Sequence, residues 1–158
     1  MASYSPKSTY QNCIHRFLPV IFVLLLGLFY SSNVQSQCAS FARAVVKPEL
    51  SPFIHDGNYN ATILAEGESV LLRKTVFEGQ KYRIVVKGVP ELPGLRFRVI
   101  DSGSQVLFDN ALYEYADTWD FDVQDTRTIS VEVTVREDNN PGSSVGGCVA
   151  VLFGLSLD

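Results

Sequence analysis

The chain is short of the residues that most catalysis and metal binding require. Its 158 residues include two histidines, three cysteines, one tryptophan and one methionine. His15 and Cys13 lie in the leading segment, which leaves His55, Cys38 and Cys148 for everything after it. A lone imidazole cannot build a zinc site with cysteines if those two are bridged to each other. No Gly-x-Ser-x-Gly elbow or comparable frame presents a nucleophilic serine. No EF-hand or Gly-Asp repeat spacing is present for calcium.

Basic charge is scarce as well. Setting aside Lys7 and Arg16 in the leading segment, 11 Lys and Arg face 17 Asp and Glu, a net charge near −6. An acidic domain with interleaved signs is a poor partner for nucleic acid or an anionic membrane surface. The sequence also lacks internal repeats, low-complexity tracts and any long helical pattern.

One long apolar run is present. Phe17 to Tyr30 (FLPVIFVLLLGLFY) follows a segment whose only charges are Lys7 and Arg16, and precedes the polar stretch Ser31 to Gln37. That order is the layout of a secretory signal. Its fourteen residues span about 21 Å as a helix, short of the roughly 30 Å hydrocarbon core that an anchor must cross. Residues 1–36 are therefore expected to be a signal peptide. Val34 and Ser36 suit the −3 and −1 positions, and cleavage is expected between Ser36 and Gln37. The alternative is an uncleaved single-pass anchor, the only way this chain would engage a membrane. Ser36-Gln37 before Cys38 makes a poor lipobox.

Cleavage leaves residues 37–158, enough for one domain that buries roughly two thirds of its unfolded surface. Export puts that domain in an oxidising compartment, and Cys38 and Cys148 are then its only intramolecular pair. A bond between them closes a loop of about 110 residues, to which the chain-entropy model assigns about 4–5 kcal/mol as an upper figure. Two free thiols are the alternative.

Strand patterns dominate the remainder. Thr128 to Arg136 alternates Ile129, Val131, Val133 and Val135 with polar residues, the mark of a half-buried antiparallel strand. Tyr59–Ala65, Ser69–Phe77, Lys81–Lys87, Leu95–Val99, Gln105–Asp109 and Trp119–Val123 read as further strands. Cys148–Leu157 is apolar on both faces, as expected of a mid-sheet strand covered on both sides. The short Glu78-Gly79-Gln80 link predicts a hairpin between the second and third strands, and Asp101–Ser104 a turn joining the fourth and fifth. Ala39–Leu50 supports a short helical turn before Pro48 and Pro52 interrupt it. Eight short strands predict an all-β, antiparallel β-sandwich of jelly-roll character. An immunoglobulin domain fits less well, because the cysteines sit at the domain's ends rather than inside facing sheets.

Pro52-Phe53-Ile54-His55-Asp56-Gly57, Gly79-Gln80-Lys81-Tyr82-Arg83, Val106-Leu107-Phe108, Trp119-Asp120-Phe121 and Gly147-Cys148-Val149-Ala150-Val151-Leu152-Phe153-Gly154 follow one another in a familiar order. In this the chain resembles a group of small secreted β-sandwich proteins of Bacteroidota. In strand pattern it is more distantly similar to bacterial pre-peptidase C-terminal domains, jelly-roll accessory modules of secreted enzymes. The resemblance spans nearly the whole mature chain and implies export and a sandwich, without supplying catalytic residues. One departure is Lys87-Gly88, where the group carries an additional cysteine.

Three sets of residues are candidates for function. His55 beside Asp56 is the sole candidate for a secreted hydrolase, against a plain Asp-Gly turn with an imidazole hydrogen bond nearby. Asp117, Asp120, Asp122 and Asp125 are the densest acidic group and the candidate calcium ligands, against a solvated strand face. Tyr113, Tyr115 and Trp119 could form an aromatic platform for a ligand such as a glycan, against simple packing. Asn60-Ala61-Thr62 matches the N-glycosylation pattern. The sequence thus predicts a secreted or periplasmic, non-catalytic domain without cofactor, binding an envelope protein or a glycan; a purely structural envelope protein is the remaining alternative.

Overall fold

Alternation along the strands determines which side chains meet between the sheets. The computed structural model describes residues 34–137 and 146–157. Helix α1 (Val34–Phe41) leads into a π-helical turn at Ala42–Val46 and a 3-10 turn at Lys47–Leu50. Nine strands follow: β1 (Ile54–His55), β2 (Asn60–Ala65), β3 (Ser69–Val76), β4 (Lys81–Gly88), β5 (Leu95–Asp101), β6 (Val106–Asp109), β7 (Thr118–Asp122), β8 (Arg127–Val135) and β9 (Gly146–Leu155). One sheet has the order β1-β9-β4-β7, with β2 also paired to β9; the other runs β3-β8-β5-β6. Every pairing is antiparallel. The fold is the expected all-β sandwich.

The main core lies between the sheets. Tyr82, Ile84 and Val86 of β4 and Val149, Val151 and Phe153 of β9 meet Phe97, Val99, Ile129, Val131, Val133 and Val135 from the opposite sheet. Because side chains alternate across a strand, the intervening β9 residues point the other way. There Ala150 and Leu152, with Val85 of β4, pack against Ala42, Val46 and Leu50 of the helical segment in a second, smaller core. This explains the doubly apolar β9, which is buried on both faces in mid-sheet. Gly154 is required where this layer closes in, since a Cβ there would stand 2.7 Å from the Phe53 Cβ.

Cys38 and Cys148 form a disulfide with Cα atoms 5.2 Å apart, tying α1 to β9 across a sequence separation of 110. α1 begins at Val34, ahead of the expected cleavage point. The apolar run Phe17–Tyr30 lies outside the described residues. Among those described, no helix is long and apolar enough to cross a membrane.

The predicted hairpin between the second and third strands does not form. β3 pairs with β8 and β4 with β9 and β7, so the Glu78-Gly79-Gln80 link crosses from one sheet to the other. The link is held by the strand opposite, with the Gly79 N–H donating to the Val123 carbonyl and the Val123 N–H to that of Gln80. The β5–β6 hairpin forms as expected, with a bulge between Val99 and Ile100.

Candidate functional site

The connection from β6 to β7 is the least ordinary loop among the described residues. Asp109 opens it, accepting the Ala111 N–H at 3.1 Å, and Asn110 is the one buried polar residue among those described, 1% exposed. Burying an amide is costly unless its donors and acceptor are matched. Here they are: Oδ1 accepts the Phe97 N–H at 2.9 Å, and Nδ2 donates to the carbonyls of Leu95 and Ala116 at 3.1 and 3.3 Å. The Asn110 carbonyl accepts the N–H groups of Tyr113 and Tyr115, both at 2.9 Å.

Those bonds hold an unusual backbone. Glu114 and Tyr115 have φ values of 53° and 57°, a left-handed conformation that costs a non-glycine residue on the order of 1 kcal/mol or more. The result is a fixed loop whose large apolar side chains face water, with Leu112 80%, Tyr113 58% and Tyr115 39% exposed.

A row of rings links the loop to the sandwich interior. Tyr113 stacks on Phe108 with centroids 5.1 Å apart, Phe108 on Trp119 at 4.9 Å, and Trp119 on Phe121 at 4.3 Å. Trp119 and Phe121 share the inward face of β7 and are only partly buried, because β6 and β7 are the edge strands on this flank. Beyond them a cleft of about 240 Å³ opens between the sheets, lined by Val76, Leu107, Trp119, Phe121 and Ile129, with Asp122 and Arg127 among its polar groups. Tyr115 lies apart from the row, beneath the Arg136 guanidinium at 4.3 Å.

The structure therefore joins Tyr113 and Trp119 through Phe108 and leaves Tyr115 beside Arg136. Trp119 is a packing residue, its ring engaged by two neighbours. Asn110, Phe108 and Arg136 were not singled out by the sequence. The signal available for Asn110 was an Asp-Asn pair ending a strand, a common turn composition.

The acidic candidates do not converge. Asp120 takes a two-pronged contact from Arg83, Nε and Nη2 each at 2.7 Å. Asp117 lies 4.0 Å from Lys87, which also pairs with Glu49. Burial pushes the Asp117 carboxyl above its ordinary value, an effect that Lys87 opposes and Glu49 reinforces. Asp125 pairs with Arg127. Among the described residues no group of three His, Cys, Asp or Glu side chains could hold a metal ion. The neighbouring Asp109 is held below the usual carboxylate range by the hydrogen bond from Arg96, against the opposing effect of burial.

His55 braces a turn. Its Nδ1 accepts the Gly57 N–H at 3.3 Å and its Nε2 lies 3.1 Å from the Asn58 carbonyl, an arrangement satisfied by the Nε2–H tautomer. The ring also packs on Tyr59 with centroids 4.4 Å apart. Asp56, whose side chain is 5% exposed, pairs with Lys74 and accepts the Asn58 N–H. Burial alone would raise its carboxyl, but these partners outweigh it and the net direction is down. Both imidazole nitrogens are thus used by the turn. Asn60 stands in β2 with its amide donating to the Val151 carbonyl at 3.3 Å, so the glycosylation pattern falls on an occupied strand residue.

No protein-family model and no curated protein sequence matches the chain. Among solved structures it is similar to PliG of Aeromonas hydrophila, a periplasmic inhibitor of g-type lysozyme, with TM-score 0.49 and 9% identity over 66% of this chain and 89% of that one. The PliG of Salmonella Typhimurium, likewise a periplasmic inhibitor of g-type lysozyme, gives TM-score 0.43 and 10% identity over 62% of this chain and 89% of that one. Likenesses of this degree carry no conclusion about activity or partner.

Proposed function

We propose that this is a non-catalytic binding domain of an exported protein, and that the loop 110–117 with the adjoining aromatic flank is its docking surface. The observation that carries the reading is the loop held by the hydrogen bonds of Asn110, a strained backbone that keeps Leu112, Tyr113 and Tyr115 in water. Left-handed strain persists only where surrounding bonds over-determine it, and such strain concentrates at functional sites. Tyrosines held in one conformation lose little entropy on binding, which suits them to be interface anchors. The disulfide supports export, because such bonds persist in oxidising compartments. Signal cleavage after Ser36 and membership of the small secreted group of Bacteroidota belong to the same proposal.

A protein suits this surface better than a glycan. A sugar platform needs open ring faces, whereas Trp119 is stacked on two rings, Tyr115 lies under Arg136 and Tyr113 has Phe108 against it. The test is a photo-crosslinking residue placed at Leu112, compared with one at Arg73, exposed on β3 at the far edge of its sheet from β6, in the native envelope fraction. The expected result is a discrete adduct from position 112 alone that disappears on Tyr113→Ala. Identical adducts from both positions, or none from 112, would overturn the reading.

A further inference from the structure

Charge around the docking loop is uneven once internal pairs are set aside. The cations that border it are already engaged: Arg96 by Asp109, Lys87 by Glu49, and Arg136 by the Tyr115 ring. Glu114 in the loop and Glu91 in the β4–β5 connection are exposed and make no ion pair among the described residues. Asp117 shares Lys87 with Glu49, so two carboxylates divide one cation there. Strand direction puts the β4–β5 and β6–β7 connections at the same end of the sandwich, where Arg136 bridges them by packing against Gly94 and Tyr115.

The apolar part of this surface is independent of that charge. Leu112 and Tyr113 continue through Phe108 and Trp119 to the cleft between β6 and β7, whose volume of about 240 Å³ is of the order needed for one or two large apolar side chains. Both flanking strands are edges with unpaired backbone groups, the setting in which an extended segment can dock.

We infer that the partner is a protein presenting a cationic segment with an apolar anchor residue, the anchor entering the cleft beside Trp119 and the cations meeting Glu91, Glu114 and Asp117. This rests on the docking reading above and adds the chemistry of the occupant. Here Glu49, Glu91, Asp109, Glu114 and Asp117 outnumber Lys87, Arg96 and Arg136, an acidic excess that favours positively charged partners through an attraction that weakens as salt rises.

The test is selection from a random dodecapeptide phage library against the disulfide-bonded protein, followed by affinity measurements on the synthetic consensus peptide. The enriched peptides are expected to carry net positive charge and at least one Phe, Leu, Ile or Trp. Affinity for the consensus should fall about tenfold or more, roughly 1.4 kcal/mol, both in the Glu91→Lys/Glu114→Lys double variant and in Tyr113→Ala. It should also fall as salt rises from about 50 to 300 mM. Consensus peptides that are neutral or acidic, and that bind the charge-reversed variant equally well while losing Tyr113→Ala, would overturn the cationic partner and leave the docking surface standing. Peptides indifferent to both variants would overturn both. Exposed positions were chosen so that the variants fold, and the absence of free thiols in each confirms the native disulfide.

Discussion

The two outer faces of the sandwich are built on opposite terms. Behind β9 and β4 a layer of helical turns covers the sheet, buries Val85, Ala150 and Leu152, and is fastened by the Cys38–Cys148 bond. The outer face of the β3-β8-β5-β6 sheet has no such layer among the described residues. It carries cross-strand polar pairs instead: Arg98 with Glu132, Arg96 with Asp109, and Ser69 with Thr134 at 2.8 Å. The difference shows where stability resides. Burial and the covalent tie act on the first face, while the second rests on exposed pairs that contribute little, about 0–1 kcal/mol each.

The comparison can be broken most severely at the disulfide. The Cys38→Ser/Cys148→Ser variant should lose up to about 4–5 kcal/mol, read from the urea midpoint, with the helical segment detaching first. An unchanged midpoint would show that the covered face needs no tie. Next in size is Leu152→Ala, which opens a hole beneath the helical segment and should cost about 3 kcal/mol. A loss below 1 kcal/mol would mean that this layer packs loosely.

Lys74→Met should cost about 2 kcal/mol by leaving the buried Asp56 carboxylate without its cation. The same site predicts a pH dependence. The folded carboxyl of Asp56 lies below its ordinary value of 3.8, and Asp109 is displaced in the same direction. Their contribution is therefore complete above that value and is lost as the pH falls through it to the lower folded values. Urea midpoints measured down to acid pH should drop in this window for the parent and drop less for Asp56→Asn. The smallest effect belongs to the uncovered face: Arg98→Ala should cost under about 1 kcal/mol, and a larger loss would mean that the Arg98–Glu132 pair is more than a surface contact.

Much of this contrast was legible in the sequence, because burial on one or two faces writes a different pattern into each strand. β8 alternates and is buried on one side, whereas β9 is apolar throughout and buried on both. The cysteine pairing followed from there being only two cysteines after the leading segment. Strand partners were less legible. Glu78-Gly79-Gln80 is short enough for a hairpin, but length limits only how far the chain travels, and the same three residues can step between sheets at the sandwich end. The loop 110–117 was legible only as a set of tyrosines. That Tyr113 and Trp119 belong to one row depends on Phe108 from the other sheet, and the left-handed turn at Glu114 and Tyr115 depends on the side chain of Asn110. The first joins strands of different sheets, and the second rests on the anchoring of Asn110 to Leu95 and Phe97 of β5, so neither is encoded by local spacing.

Lys74 has a consequence beyond its ion pair. It shares the inward face of β3 with Val70, Leu72 and Val76, and reaches across the gap between sheets to Asp56 and to the Phe153 ring, its Nζ 5.3 Å from the ring centroid. β3 is an eight-residue edge strand with an unpaired backbone row, the kind of template on which other chains stack into fibrils. A lysine on the inward face makes that stacking costly, since an intruding strand that flattened β3 into a continuous ladder would have to carry the ammonium into an apolar seam without its carboxylate. Lys74→Val is therefore expected to raise the tendency to self-associate along the β3 flank, whereas the flank between β6 and β7 is the one proposed above for a partner.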